Sequence, residues 1–187
     1  KAAQYELKLA GEVFKNSLEG ITITDSKAII VDINQAFTNI TGYTREEALG
    51  QHTRLLKSDR HDDAFYSAMW HSIIHDGAWK GEIWNRRKSG EVYPQRLSIS
   101  AVTNSSDEVT HYVAVFHDIT ELKSTEERLL FQAHHDALTG LPNRLLLRDR
   151  LDVAFSHSKR KGTRVALLFI DLDDFKKVND SLGHILG

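Results

Sequence analysis

The chain has 187 residues, 41% of them hydrophobic and 27% charged, with a net charge of −2. That mixture can bury one or two cores, and its near-neutral charge gives no general electrostatic pull toward nucleic acid or acidic membranes. Cysteine is absent, which excludes disulfides, thiolate nucleophiles and cysteine-ligated zinc and suits a reducing compartment.

No apolar run reaches the roughly 18 residues of a membrane helix, and the N-terminus has no signal-peptide core. The chain therefore reads as cytoplasmic with no membrane segment of its own; an anchor elsewhere in a longer protein stays open. Ala3, Leu7, Ala10, Phe14 and Leu18 recur at helical spacing and predict a helix over residues 1–19, stopped by Gly20. ITITDSKAIIVDIN then reads as two short strands around an Asp25-Ser26-Lys27 turn. Asn34 opens a short helix that Gly42 closes, and Thr44 with Glu47 has the spacing of a capping box. After the polar stretch GQHTRLLKSDRHD, a longer helix is expected from Asp63 to His75, with Phe65, Met69, Ile73 and Ile74 on one face and Gly77 as its stop.

Three strand-like runs follow, WKGEIWNRR, EVYPQRLSISAV and THYVAVFHDI, joined by turns at Lys88–Gly90 and Asn104–Asp107. Consecutive hairpins favour an antiparallel sheet, so the fold class is α+β rather than βαβ. ELKSTEERLLFQA has no glycine or proline and sets Leu122 and Leu129 seven apart. It predicts a connecting helix over 121–134 able to pair with a copy of itself. Beyond it, a helix is expected from Arg144 to about Ser158. RVALLFID is then dense enough in apolar residues for a strand buried on both faces, ending in Asp171, Asp173 and Asp174.

Two families match these residues. DINQAFTNITGYTREEALG, GAWKGEIWNRRKSGEVYP and a terminal HDIT make residues 20–120 resemble a PAS domain. That implies a five-stranded antiparallel sheet with flanking short helices, and a junction at Asp118 and Thr120 into the signalling helix. HDALTGLPNR followed by FIDLDDFKKVNDSLGH makes residues 135–187 similar to the start of GGDEF domains, the diguanylate cyclases. That implies an incomplete α/β beginning of that domain.

The second resemblance answers why a buried strand should end in acids: it delivers them to the sheet edge where ligands bind. In the family, the position of Asp171 holds Mg through its carboxylate and the main chain at Leu172 adds a second oxygen. Asn179 matches the residue that bonds the guanine of GTP, and Phe175 and Lys176 match positions around the triphosphate. Asp173 and Asp174 read equally well as helix caps. Residues 135–187 contain neither GGDEF itself, nor the RxxD inhibitory motif that precedes it in the family, nor the later phosphate-binding basic residues. The expectation is therefore a stretch without catalytic activity of its own, within a protein that condenses GTP to cyclic di-GMP. Residues after about 135 are expected to be disordered, repacked as helices or paired with a second chain.

Within the PAS-like region, MWHSIIHDGAWKGEIWNRRKSGEVY resembles the subset of these domains that hold FAD in redox sensors. The resemblance places Asn34, Trp70, Trp79 and Asn85 around the flavin. Indole rings can wall an isoalloxazine, and an amide can pair with its O4/N3 edge. Lys57 and Ser58 stand where those sensors carry Arg and His, and Trp79, Trp84 and Asn85 also fit roles in packing and strand bonding. Haem is the weaker choice, resting on His71 and His75 at i, i+4, which fit an exposed helix face as well. Arg86 to Lys88 read as solvated charges at a hairpin turn. The sequence thus points to a PAS module that senses and dimerises, forming a homodimer through the domain and its helix, and regulates a cyclase. The alternative is a ligand-free module that only holds two chains together.

Overall fold

The structure, a computed structural model, describes residues 1–171, 173, 174 and 177. The chain divides into two compact units, residues 1–127 and 128–187.

The first unit is built on a five-stranded antiparallel sheet in the order β2-β1-β5-β4-β3, with β1 Gly20–Asp25, β2 Ile30–Ile33, β3 Ala78–Arg86, β4 Val92–Thr103 and β5 Val109–Asp118. Helices α2 (Gln35–Thr41), α3 (Arg45–Ala48) and α4 (Asp63–Asp76) fall between β2 and β3. Local chemistry fixes their ends. The Asn34 side chain caps α2 by accepting from Phe37 N, and Gly42 ends it at φ 79°. Thr44 and Glu47 form the capping box of α3. Asp62 caps α4 and Gly77, at φ 74°, ends it; both glycines occupy the left-handed region that Cβ disfavours.

The core joins Ile30, Ile33 and Phe37 to Met69 and Ile73 of α4 and to Ile83, Leu97, Ile99 and Phe116 of the sheet. Phe65, Met69 and Ile73 form the inward stripe of α4 at i, i+4, i+8. Ile74 does not belong to it and is 64% exposed, because one residue is about 100° of helix rotation.

The N-terminal helix α1 spans Ala2–Asn16 and buries none of its residues, shorter than the periodicity predicted. Asn16 folds back onto the Glu12 carbonyl at 2.9 Å, Ser17 is extended, and Leu18 is exposed. Gly20 is not a stop signal but the first residue of β1. A Cβ there would lie 2.3 Å from the Phe116 ring, so that ring requires a glycine beside it.

Pro94 sits in β4, an interior strand, where a missing N–H would normally break a ladder. It is tolerated because the β4–β5 register begins one residue later, at Gln95↔Asp118. Pro94 faces Trp84 of the edge strand β3, and the main chain of Trp84 is satisfied from the other side. Its carbonyl accepts from the Ser58 hydroxyl and its N–H donates to His61 Nε2 at 3.0 Å. With the isolated Lys57↔Asn85 bridge, residues 57–61 cover an edge that would otherwise be open for pairing.

Helix α5 spans Thr120–His134. In the second unit, Asp136 organises a turn, accepting from Leu138 N, Thr139 N and the Thr139 hydroxyl. Helix α6 runs Arg144–Lys161, capped by Asn143 and ended by Gly162, one turn beyond expectation. The predicted strand RVALLFID is not a strand. Residues 163–171 have no regular structure, and Leu168, Phe169 and Ile170 are exposed. A strand exists through its ladder, and no described residue pairs with this run. No described helix is long and apolar enough to cross a membrane.

Candidate functional site

Between the helices and the sheet lies a cavity of about 320 Å³, at the lower end of small-molecule sites. Apolar side chains from four strands make its floor, among them Ile83, Leu97, Ile99 and Phe116, and α4 contributes Tyr66, Met69 and Trp70. Trp70 meets Tyr112 edge to face at 5.6 Å. Three kinds of polar group interrupt this surface. Thr22 and Thr24 come from β1, Asn85 from β3, and His52, Arg54 and Lys57 from the loop before α4. No carboxylate lines the cavity among the described residues.

Asn85 is buried, with 7% exposure. It reaches the cavity because Trp79, Gly81, Ile83 and Asn85 alternate onto one face of β3. Its amide makes no hydrogen bond to any described residue. Tyr66, on the helix, has a buried hydroxyl without a partner among the described residues, and burial followed by the Asp59 charge raises its pKa. An apolar cavity with an unpaired amide in its wall, the Asn85 side chain, suits a planar heteroaromatic molecule with a polar edge. By that test the residues present fit a flavin ring.

The loop before α4 forms one wall. Ser58 is fully buried, the Lys57 ammonium lies 4.5 Å above the Tyr66 ring and reaches Asp63 at 3.2 Å. His61 stacks on Phe65 at 3.9 Å while accepting from Trp84 N. Burial, then the Arg60 charge, depresses its pKa against the opposing pull of Asp62. Neutral His61 can accept that bond and imidazolium cannot. The stabilisation is complete above the unfolded value of about 6.5 and is lost as pH falls below it toward the folded value. Melting temperatures at pH 7.5 and 5.5 are expected to fall less in His61→Gln, which keeps an acceptor without a titration; equal falls would remove His61 from the acid response.

Just past the same end of β3, Arg87 donates to the Ile40 carbonyl, pairs with Asp118 and Glu91, and lies 3.8 Å above the Tyr93 ring. Asp118 in turn accepts from Thr120 N at 2.9 Å and from its hydroxyl at 2.6 Å, which fixes the start of α5. Lys123 of α5 pairs with Glu82 of β3 at 2.7 Å. The strand that carries Asn85 is thereby tied to the first turn of the outgoing helix.

Residues 18–121 match the PAS domain family. The chain belongs to that family. Residues 133–187 match the diguanylate cyclase, GGDEF domain family. Among curated relatives, a cyclic di-GMP phosphodiesterase, PdeR of Escherichia coli K12, is 30% identical over 97% of this chain and 27% of its own. A probable diguanylate cyclase of the same organism, DgcE, is 30% identical over 90% of this chain and 16% of its own. The chain thus spans about a quarter or less of these relatives. Among solved structures, a light-oxygen-voltage domain studied with a flavin analogue is 25% identical, with a TM-score of 0.52 over 68% of this chain and 99% of that one.

Of the four residues that the flavin-sensor resemblance proposes, Trp70 and Asn85 line the PAS cavity. Trp79 and Asn34 do not. Trp79 covers Gly81, where a Cβ would lie 2.6 Å from the indole, and meets Phe65 edge-on at 6.0 Å. The Asn34 amide is used up by the backbone. It accepts from Ile21 N and Phe37 N and donates to the Glu19 carbonyl. His71 and His75 are exposed on α4, with ring centroids 4.2 Å apart, and do not line the cavity. Arg86 to Lys88 are not free solvated charges: Arg86 pairs with Asp59, Arg87 with Asp118 and Lys88 with Glu47.

Among the GGDEF residues, Asp171 is exposed. Leu172, Phe175, Lys176 and Asn179 lie outside the described residues. Sequence reasoning missed Thr22, Thr24 and Tyr66. The ITIT alternation draws attention to its isoleucines, and Tyr66 sits beside Phe65, which carries the helical stripe.

Proposed function

We propose that this chain is a flavin-responsive PAS sensor that regulates cyclic di-GMP metabolism through its GGDEF region. The observation that carries the reading is the buried, unpaired Asn85 amide in an apolar cavity, on the strand joined to α5 through Glu82 and Lys123. Asn85 offers an amide edge to the polar rim of an isoalloxazine, Trp70 packs against the ring system, and the exposed Arg54 and Lys57 offer positive charge to the phosphates of FAD. A bound flavin would supply reversible redox chemistry, and with no cysteine in the chain no thiol is available to add to it.

The output follows from the second match. The longer protein would take GTP as substrate, with Mg held at Asp171 and the Leu172 main chain, guanine read by Asn179, and Phe175 and Lys176 near the triphosphate. We read residues 1–19 as an N-terminal helical segment, 20–120 as the PAS domain, 121–134 as the signalling helix and 135–187 as the start of the GGDEF domain, in a cytoplasmic homodimer. Exposed Leu122, Leu129 and Leu130 on α5 support pairing through that helix. A ligand or redox change acts only by favouring one dimer geometry over another.

The test is the visible absorption of freshly purified protein before and after dithionite, with FAD titration of wild type and Asn85→Ala. Flavin bands that bleach are expected, with FAD binding about tenfold or more weaker in the variant, as for loss of a buried hydrogen-bonding group. Wild-type protein that neither carries nor takes up flavin would defeat the reading.

A further inference from the structure

Residues 57–61 read Lys-Ser-Asp-Arg-His, with no hydrocarbon side chain among them, yet they cover the outer edge of β3 and put Lys57 in the cavity wall. Polar contacts fasten them. The Ser58 hydroxyl donates to the Trp84 carbonyl, Trp84 N donates to His61 Nε2 at 3.0 Å, and Lys57 forms a main-chain bridge with Asn85. Asp59 pairs with Arg86 at 2.8 Å, and the Arg60 guanidinium lies 4.2 Å above the Trp84 ring. A segment held this way, with little apolar burial of its own, can open without the core.

One of these attachments depends on a proton. Only a neutral imidazole with its hydrogen on Nδ1 has a lone pair at Nε2 for the Trp84 N–H. A second proton would set donor against donor. The surroundings do little to hold the added charge. Burial disfavours it most, Asp62 favours it and Arg60 opposes it, and the balance lowers the pKa. The carboxylates nearby are already engaged: Asp59 by Arg86, Asp63 by Lys57, and Asp62 by the Phe65 N–H at the start of α4. From α4 the ring meets Phe65 and the uncharged phenol of Tyr66, and β3 brings a further cation, Arg86.

We propose that residues 57–61 are an acid-released strap: protonation of His61 detaches them from Trp84, bares the edge of β3 and takes Lys57 away from Asn85 in the cavity wall. The strap acts whatever molecule fills the cavity, because every contact that holds it lies within the chain. Its closed form is fully favoured above the ordinary histidine value of about 6.5 and loses that advantage as pH falls below it.

The test is amide hydrogen exchange, resolved by residue with NMR on the full chain, at pH 7.5 and 5.5 and with or without a low concentration of urea. Each rate is normalised to that of an unfolded peptide at the same pH. In wild type, Trp84 N–H should be less protected than the amides of the central strand β5 and insensitive to urea, since a local opening exposes little surface. Its protection should fall by up to about tenfold at pH 5.5, the limit for one imidazole taken one pH unit below its ordinary value. In His61→Gln, which keeps an acceptor without a titration, it should change less than about twofold. Equal falls in the two proteins overturn the proposal. So does Trp84 exchange that matches β5 in rate and urea response, because the segment then opens only when the whole unit unfolds. Imidazole nitrogen-15 shifts of wild type check the tautomer without any variant, and a hydrogen on Nε2 at pH 7.5 would also overturn it.

Discussion

Arg87→Ala is expected to destabilise the PAS unit by about 3 kcal/mol, the lower edge of what losing one partner of a buried ion pair costs. The lower edge applies because Arg87 and Asp118 keep 17% and 27% of their side-chain exposure. The substitution removes four attachments together: the Asp118 pair, the Glu91 pair, the bond to the Ile40 carbonyl and the cation over Tyr93. Urea unfolding followed by tryptophan fluorescence measures it selectively, because Trp70, Trp79 and Trp84 all lie within residues 1–127. A loss below about 0.5 kcal/mol, the range of an ordinary surface substitution, would remove the pair from any structural role.

The acid limb offers an independent check. Burial, the largest single influence on Asp118, pushes its pKa up, but the bonds from Thr120 and Arg87 together outweigh it and hold the carboxyl below its ordinary value. Its stabilisation is therefore complete above the unfolded value of about 4 and is lost as pH falls through the folded value. Arg87→Ala should flatten that limb. Because Asp118 also fixes Thr120, the same variant should loosen the start of α5, where a signal from β3 would pass.

The elements that were legible in the sequence are those whose ends are set by local chemistry. Asn34, Gly42, Thr44 with Glu47, and Gly77 each announce a cap or stop within a few residues, and each stands where that chemistry puts it. The misreadings arise where a distant residue decides. Gly20 looks like a helix stop, yet its reason is the Phe116 ring, which only the β1–β5 pairing brings beside it. Arg86 to Lys88 look solvated because their partners, Asp59, Asp118 and Glu47, are far away in the chain. Asn34 and Asn85 have the same chemistry, and only the fold spends one on backbone bonds and leaves the other open to the cavity. The run at 164–171 has a strand's composition, but composition supplies no ladder.

Phe37→Ala should have the largest effect, a loss of about 3–5 kcal/mol for a buried Phe truncated to Ala. Phe37 is completely buried and meets Phe116 edge to face, with centroids 5.9 Å apart and planes at 77°. Phe116 also lines the cavity and presses against Gly20, so it is fixed between a glycine that admits it and the ring that supports it. With Phe37 gone, Phe116 can fall back into the void, and the cavity gains volume at its floor rather than at its polar wall. The consequence is a separable signature. Phe37→Ala should cost stability first and weaken FAD binding as well, whereas Asn85→Ala should weaken binding with little loss of stability. Phe37→Leu, which refills most of the volume, should recover more than half of the loss. If Phe37→Ala unfolds at the wild-type urea concentration, the ring is not a support, and the cavity floor must be held by the sheet alone.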